Sequence, residues 1–282
     1  MADAGYEGKV ALVTGAGAKR GMGRAIALRL GAAGAKVAIL DKFAAPRSNF
    51  PGDEGWGGLE EELGELGALG AEAIALTADI NESTGCAEAV RKIVDRFGRL
   101  DLLVHCAAIR GPVGVPVVDF TEADWRALMD VNLTGTFLIS KPVAQHMVAR
   151  GGGGKMVLIS SVGGKVGAPG NAAYTASKWG VIGYVQSLAL ELAKYRINVN
   201  SVCPGHMNTN LRDQWIEEQA KLTGVSPAEF RERAYAEMAK TVPLGRYGTA
   251  EDVADVVMFL LSPQADYMTG QAINISGGIC MS

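Results

Sequence analysis

The chain of 282 residues is poor in cysteine, and none of its four, Cys86, Cys106, Cys203 and Cys280, stands in a C-x-x-C pair or near a histidine at ligand spacing. A disulfide framework and a thiolate zinc site are thereby excluded, and reduced thiols in a cytoplasm, with no metal, are the expectation. Neither charge is in excess. The 27 Lys and Arg against 30 Asp and Glu leave a formal −3, which gives no basic footprint for nucleic acid or an anionic membrane. No apolar run is long enough to span a bilayer. The opening residues, MADAGYEGKVALVTG, lack the charged start, apolar middle and small-residue cleavage site of a secretory signal. A small molecule is the expected partner. What the chain does have is apolar residues, 48% of the total, enough for the core of one α/β domain over residues 1–282.

Seven short aliphatic runs recur: KVALVT from Lys9, KVAIL from Lys36, EAIAL from Glu72, LDLLVH from Leu100, KMVLIS from Lys155, INVNSV from Ile197 and AINIS from Ala272. Segments of helical period lie between them, at 23–33, 83–97, 123–150 and 172–194. Continuously apolar strands that alternate with helices predict a doubly wound, Rossmann-type parallel sheet of about seven strands flanked by helices. Two segments exceed ordinary connection lengths, 43–58 after the second strand and 207–241 after the sixth. In an open sheet of this kind the loops that leave the carboxyl ends of strands surround the ligand, so both are candidate site walls. Pro142, inside the segment 123–150, predicts a kink or a missing hydrogen bond.

The loop TGAGAKRGMG follows the first strand and opens a helix. Gly15, Gly21 and Gly23 allow a tight turn and a close backbone approach, and the helix-terminal N–H groups face a pyrophosphate. Asp41 ends the next strand, where an acidic side chain accepts hydrogen bonds from an adenosine ribose. The stretch SSVGGKVGAPGNAAYTASKWG carries Ser161 at the end of a strand, then Tyr174 and Lys178 four apart on one helix face. Each has an ordinary structural use, as a packed ring, a solvated cation or a strand end; together they are a constellation for proton transfer. Free tyrosine, with a pKa of about 10, is a poor base at neutral pH, and a neighbouring ammonium favours its phenolate.

From Lys9 nearly to Ser282 the chain resembles the short-chain dehydrogenase/reductase family. TGAGAKRGMG is similar to that family's T-G-x-x-x-G-x-G with two residues added, VNLTGTF around Asn132 to its N-x-x-G segment, and YTASK to its Y-x-x-x-K signature. NSVCPG resembles its Pro-Gly after the sixth strand, and PLGRYGTAEDVADVVMFLLS with TGQAINISGG its carboxyl-terminal region. The resemblance implies an NAD(P)-dependent oxidoreductase that interconverts a secondary alcohol and a ketone. It implies Tyr174 as acid/base, with Lys178 lowering its pKa and binding the nicotinamide ribose. Ser161 would bond the substrate oxygen, and Asn132 would support the lysine's proton relay. The cofactor cradle it implies comprises Gly15, Arg20, Gly21, Met22, Gly23, Asp41, Asp79, Ile80, Cys106, Ala107, Ala108, Tyr174, Lys178, Pro204, Gly205, Met207 and Thr209. The family's N-N-A-G reads HCAA here, which puts a different backbone at Ala108 and makes His105 a structural strand-end residue. Asp41 points to NAD, and Arg20, where a basic residue can mark NADP, to the alternative. The resemblance also implies a homotetramer, as do the long helices flanking Asn132 and Tyr174, whose outer faces carry Leu138, Val143, Val181, Val185 and Leu188, some of which must face the sheet instead. Residues 207–241 are expected to form a lid whose Met207, Leu211, Trp215, Phe230, Tyr235 and Met238 either wall the substrate or pack a helix pair. Two other functions stay open: a non-redox dehydratase or epimerase, and a cofactor-sensing binding protein on the same fold.

Overall fold

The computed structural model describes residues 5–46 and 53–282, so positions 47–52 of the expected loop 43–58 lie outside the described residues. Seven parallel strands form one sheet: β1 (Val10–Thr14), β2 (Lys36–Asp41), β3 (Ala73–Thr77), β4 (Leu102–His105), β5 (Gly154–Ile159), β6 (Ile197–Pro204) and β7 (Ala272–Ile275), in the order β3-β2-β1-β4-β5-β6-β7. The helices are α1 (Met22–Ala32), α2 (Leu59–Ala68), α3 (Ser83–Phe97), α4 (Glu122–Met129), α5 (Gly135–Arg150), α6 (Ala172–Leu192), α7 (Asp213–Thr223), α8 (Pro227–Ala239) and α9 (Ala250–Leu261).

Successive strand residues point to opposite faces, and each face has its own core. Ala11, Val13, Val37 and Ile39 pack with Ile26 and Leu30 of α1, Leu66 of α2 and Val253 and Val257 of α9. Val10, Leu12, Ala38 and Leu40 pack with Ile93 of α3, Ile139 and Val143 of α5 and Val181 and Val185 of α6. Because both faces are covered, the strands read as unbroken apolar runs. Each fully buried aliphatic side chain contributes about 1.5–3 kcal/mol relative to exposure.

The second core overturns one expectation. Val143, Val181, Val185 and Leu188 are buried in it and Leu138 packs against it, so these residues line the protein interior. Helix α6 is apolar on more than one side, and composition alone did not tell its inner face from its outer one. The large apolar side chains that α5 and α6 do expose are Phe137, Trp179 and Leu190.

The segment 123–150 is two helices joined by a π-helical turn, Asp130–Thr134. The wider turn gives the Asn132 carbonyl a side-chain donor, Thr136 Oγ1, at 2.7 Å. Helix α5 runs without a break through Pro142; the interruption lies about two turns earlier. Chain reversal at β1, which sends β2 to one side and β4 to the other, opens a crevice at the carboxyl ends of β1 and β4.

Candidate active site

Gly15 leaves β1 with φ +67°, and a Cβ there would sit 2.6 Å from the Ala107 backbone nitrogen. The loops after β1 and β4 therefore meet backbone to backbone, which only glycine permits. Gly23 is equally constrained, since its Cβ would lie 2.4 Å from the Gly15 carbonyl oxygen. At the end of β2 the Asp41 carboxylate accepts the N–H of Gly17 at 3.0 Å and of Lys42 at 2.7 Å, while burial pushes its pKa upward against these bonds. Ala108 needs no special backbone: among the described residues Arg196 alone has a positive φ without being glycine. His105 is buried, with Nδ1 2.7 Å from Thr14 Oγ1, and burial lowers its pKa to about 3.

A crevice of about 540 Å³ follows these strand ends. Of the expected cradle, Gly15, Gly21, Met22, Gly23, Asp41, Asp79, Ile80, Cys106, Ala107, Ala108, Tyr174, Lys178 and Thr209 line it. Sheet order puts Asp41 on the β2 side and Lys178, beside β5, on the other. An acidic ribose acceptor, a glycine-opened helix start and a buried lysine in that succession fit a nicotinamide dinucleotide. Pro204, Gly205 and Met207 line an adjoining cavity of about 310 Å³, which shares Met22, Ser160, Tyr174, Thr209 and Leu211 with the crevice.

Arg20 lines neither. Its guanidinium pairs with Asp53 at 3.0 Å and Asp213 at 2.7 Å, and its backbone N–H donates to Asn210 Oδ1 at 2.8 Å. Asn210 Nδ2 in turn donates to both carboxylates. Arg20, in the lengthened glycine loop, thus carries a clamp between that loop, the segment around Asp53 and the start of 207–241. These ion pairs hold the Arg20 side chain outside the lining of the crevice, where a cofactor contact was expected.

The catalytic candidates meet where the two cavities join. Ser161, extended after β5, lines the smaller cavity with Tyr174, and its Oγ accepts the N–H of Gly163 at 3.1 Å. That bond uses an acceptor position and leaves the hydroxyl proton for another partner. Tyr174 is 7% exposed and Lys178 3%; Lys178 Nζ lies 5.9 Å from the Tyr174 ring centre and donates to the Ile159 carbonyl at 3.0 Å. Burial lowers the lysine's pKa, opposed by Tyr174. Asn132 differs from expectation. Its side chain lines neither cavity but spans Ile109, at 2.9 and 3.0 Å, and Ser177 at 3.2 Å, so it ties the loop after β4 to the helix turn between Tyr174 and Lys178.

Residues 213–239 of the expected lid are the helix pair α7 and α8. Met207 and Leu211 line the smaller cavity, whereas Trp215 packs edge-on to Phe230 and Tyr235 stacks on Tyr247. Met238 touches Arg212 and Tyr247 through sulfur. Trp215 and Phe230 thus pack within the helix pair, while Tyr235 and Met238 tie α8 to Tyr247 and Arg212 outside it.

Three residues that the sequence reading passed over stand in the smaller cavity: Arg110, His206 and Arg212. Arg110 lies 4.3 Å above the Tyr174 ring centre. Their one local signal is position, since Arg110 follows β4 and His206 follows Pro204-Gly205, both at carboxyl ends of strands.

The sequence model described as Enoyl-(Acyl carrier protein) reductase matches residues 15–280. A short-chain dehydrogenase/reductase of Armillaria gallica is 38% identical, over 97% of this chain and 96% of its own length. Among solved structures, an actinorhodin polyketide ketoreductase with NADPH superposes with a TM-score of 0.83 at 36% identity, covering 96% of this chain and 97% of that one. Carveol dehydrogenase from Mycobacterium avium in complex with NAD gives 0.84 at 30% identity, covering 97% and 98%. The chain belongs to the short-chain dehydrogenase/reductase family, as an NAD(P)-dependent oxidoreductase that interconverts alcohols and ketones. No helix among the described residues is long and apolar enough to cross a membrane.

Proposed function

We propose that the protein oxidises a secondary alcohol, or reduces the matching ketone, with NAD as the preferred cofactor. The observation that carries this reading is the placement of Tyr174, Lys178 and Ser161 where the crevice and the smaller cavity join. Bound NAD supplies the hydride acceptor beside them. Ser161 donates its hydroxyl proton to the substrate oxygen and fixes its orientation. Tyr174 takes the carbinol proton at its phenolic oxygen, and the Lys178 cation stabilises the phenolate that receives it. Asn132 acts as a positioning residue, through Ile109 and Ser177. Arg110, 4.3 Å from the ring centre, adds a second cation beside Tyr174.

Two features support NAD. The Asp41 carboxylate faces the crevice, held by backbone N–H groups, where it accepts from ribose hydroxyls and repels a 2′-phosphate. Arg20, the cation that would favour the phosphate, is engaged by Asp53 and Asp213, and Lys42 pairs with Asp79 at 2.5 Å. The four cysteines are free thiols, which supports a cytoplasmic enzyme. A homotetramer is the assembly we propose, through exposed faces of α5 and α6 that present Phe137 and Trp179. A panel of secondary alcohols, each offered with NAD and NADP and followed by nicotinamide absorbance, tests the reaction. Absence of any absorbance change across the panel would favour a non-redox enzyme or a binding protein.

A further inference from the structure

The cavity beside Tyr174 has an unusual charge balance for one so small. Arg110, His206 and Arg212 line it, together with small and aliphatic residues from the loop after β5, and no aspartate or glutamate does. Neither arginine forms an ion pair with a carboxylate among the described residues, in contrast to Arg20, Arg24 and Arg99, which all do. Among the described residues the groups that Arg212 contacts are uncharged: Tyr247 Oη at 2.8 Å, Met238 Sδ at 3.4 Å and the Trp215 ring at 5.4 Å. Arg110 rests on the Tyr174 ring; burial lowers its pKa, Tyr174 opposes this by charge and a side-chain hydrogen bond, and the charge of Arg212 adds to the fall. His206 stacks on Tyr247 at 5.6 Å, and burial next to the two arginines lowers its pKa, so it adds a neutral imidazole. Two half-buried guanidinium groups without a counterion are an unfavourable arrangement that an anion relieves.

We propose that this cavity binds the carboxylate of a small hydroxy or keto acid, with Arg110 and Arg212 as its charge partners and Tyr174 and Ser161 at its carbinol oxygen. The planar fork of a guanidinium matches a carboxylate with two parallel N–H bonds. A cavity of about 310 Å³ lies at the lower end of ligand-site volumes, which suits a small molecule. The contact between Arg110 and Tyr174 sets the charge close to the reacting carbon, as in a 2- or 3-hydroxy acid. The inference rests on the oxidoreductase reading for the position of the carbinol, but the charge preference itself is measurable without turnover.

The test has a binding arm and a kinetic arm. Butyrate and butyramide, alike in shape and both unreactive, are titrated by calorimetry into the full chain saturated with reduced cofactor. Butyrate is expected to bind at least tenfold more tightly. Arg110→Gln and Arg212→Gln should each remove most of that difference while leaving butyramide binding unchanged, and Arg212→Lys should retain part of it. Equal binding of the two probes, or an equal loss of both in the variants, would overturn the proposal. Tighter binding of inorganic phosphate than of butyrate would overturn it in favour of a phosphate ester. In the kinetic arm, 3-hydroxybutyrate is compared with its methyl ester and with a thioester, and the free acid is expected to have the higher kcat/KM, mainly through a lower KM. A preference for the thioester would overturn the assignment. Selective butyrate binding without turnover of any hydroxy acid would uphold the charge site and defeat the oxidoreductase reading, so the two failures are distinguishable.

Discussion

Glu62 offers the sharpest test of how burial sets chemistry around the cofactor crevice. It lies in α2, is fully buried, and both carboxylate oxygens lack a hydrogen-bond partner among the described residues. Arg24, the cation that acts on it, gives its hydrogen bonds to Glu65 and the Lys19 carbonyl, and lies 5.0 Å over the Trp56 ring. Burial therefore dominates and raises the Glu62 pKa from 4.5 to about 8, with Glu65 and Asp41 adding to the rise. A carboxyl whose folded pKa is raised lends its full stability below the unfolded value of 4.5. That stability is lost as pH rises towards 8, because the unfolded chain alone ionises in this window. At about 1.4 kcal/mol per pH unit, wild type loses about 3 kcal/mol by pH 7 and about 5 kcal/mol by pH 9 relative to an uncharged side chain. Glu62→Gln is nearly isosteric and cannot ionise. Urea unfolding of both proteins at one protein concentration, from pH 5 to 9, should show the variant gaining by about 1 kcal/mol at pH 5 and by about 3 kcal/mol at pH 7. A difference that stays constant from pH 5 to 9 would mean that Glu62 is ionised in the folded protein, and would refute the reasoning.

Removing the Asp41 carboxylate in Asp41→Ala deletes charge-assisted bonds to the ribose, and kcat/KM for NAD should fall about 10- to 100-fold while the ratio moves towards NADP. A wild-type preference for NADP, or an unmoved ratio in the variant, would count against Asp41 as the selector. Arg20→Met leaves Asp53 and Asp213 without their cation; limited proteolysis within 207–241 should become roughly 5- to 100-fold faster in the free protein, and bound cofactor should slow it in wild type. Equal cutting of both proteins, with and without cofactor, would make that segment rigid and the clamp idle. Light scattering at micromolar concentration should give a tetramer, and a monomer would refute the assembly.

The sheet was legible because both of its faces are covered, so KVALVT, KVAIL and KMVLIS stand out as unbroken apolar runs between helices. The glycine loop, Asp41 and the Tyr174–Lys178 spacing were legible because each works through local geometry, within one turn or one helix. What escaped depends on contacts distant in sequence. Arg20 finds Asp53 and Asp213 in two separate segments, and Arg110 meets Arg212 across 102 positions. Only packing reveals that α6 turns Val181 and Val185 inward and Trp179 outward. The π-helical turn carries Asn132, whose side chain bonds Ile109 and Ser177, contacts that helical periodicity does not encode. Trp215 and Phe230 looked like a substrate wall because an amphipathic pair shows the same pattern whether it faces a ligand or its own partner helix.

The central claim is that Tyr174 moves the carbinol proton. Tyr174→Phe removes the phenolic oxygen and little volume from a ring that Arg110 and Lys178 flank. Cofactor affinity, measured by nicotinamide fluorescence, should stay within about twofold of wild type, while kcat on the best alcohol of the panel should fall about 100- to 10,000-fold. Turnover near the wild-type rate with cofactor affinity intact would contradict the account.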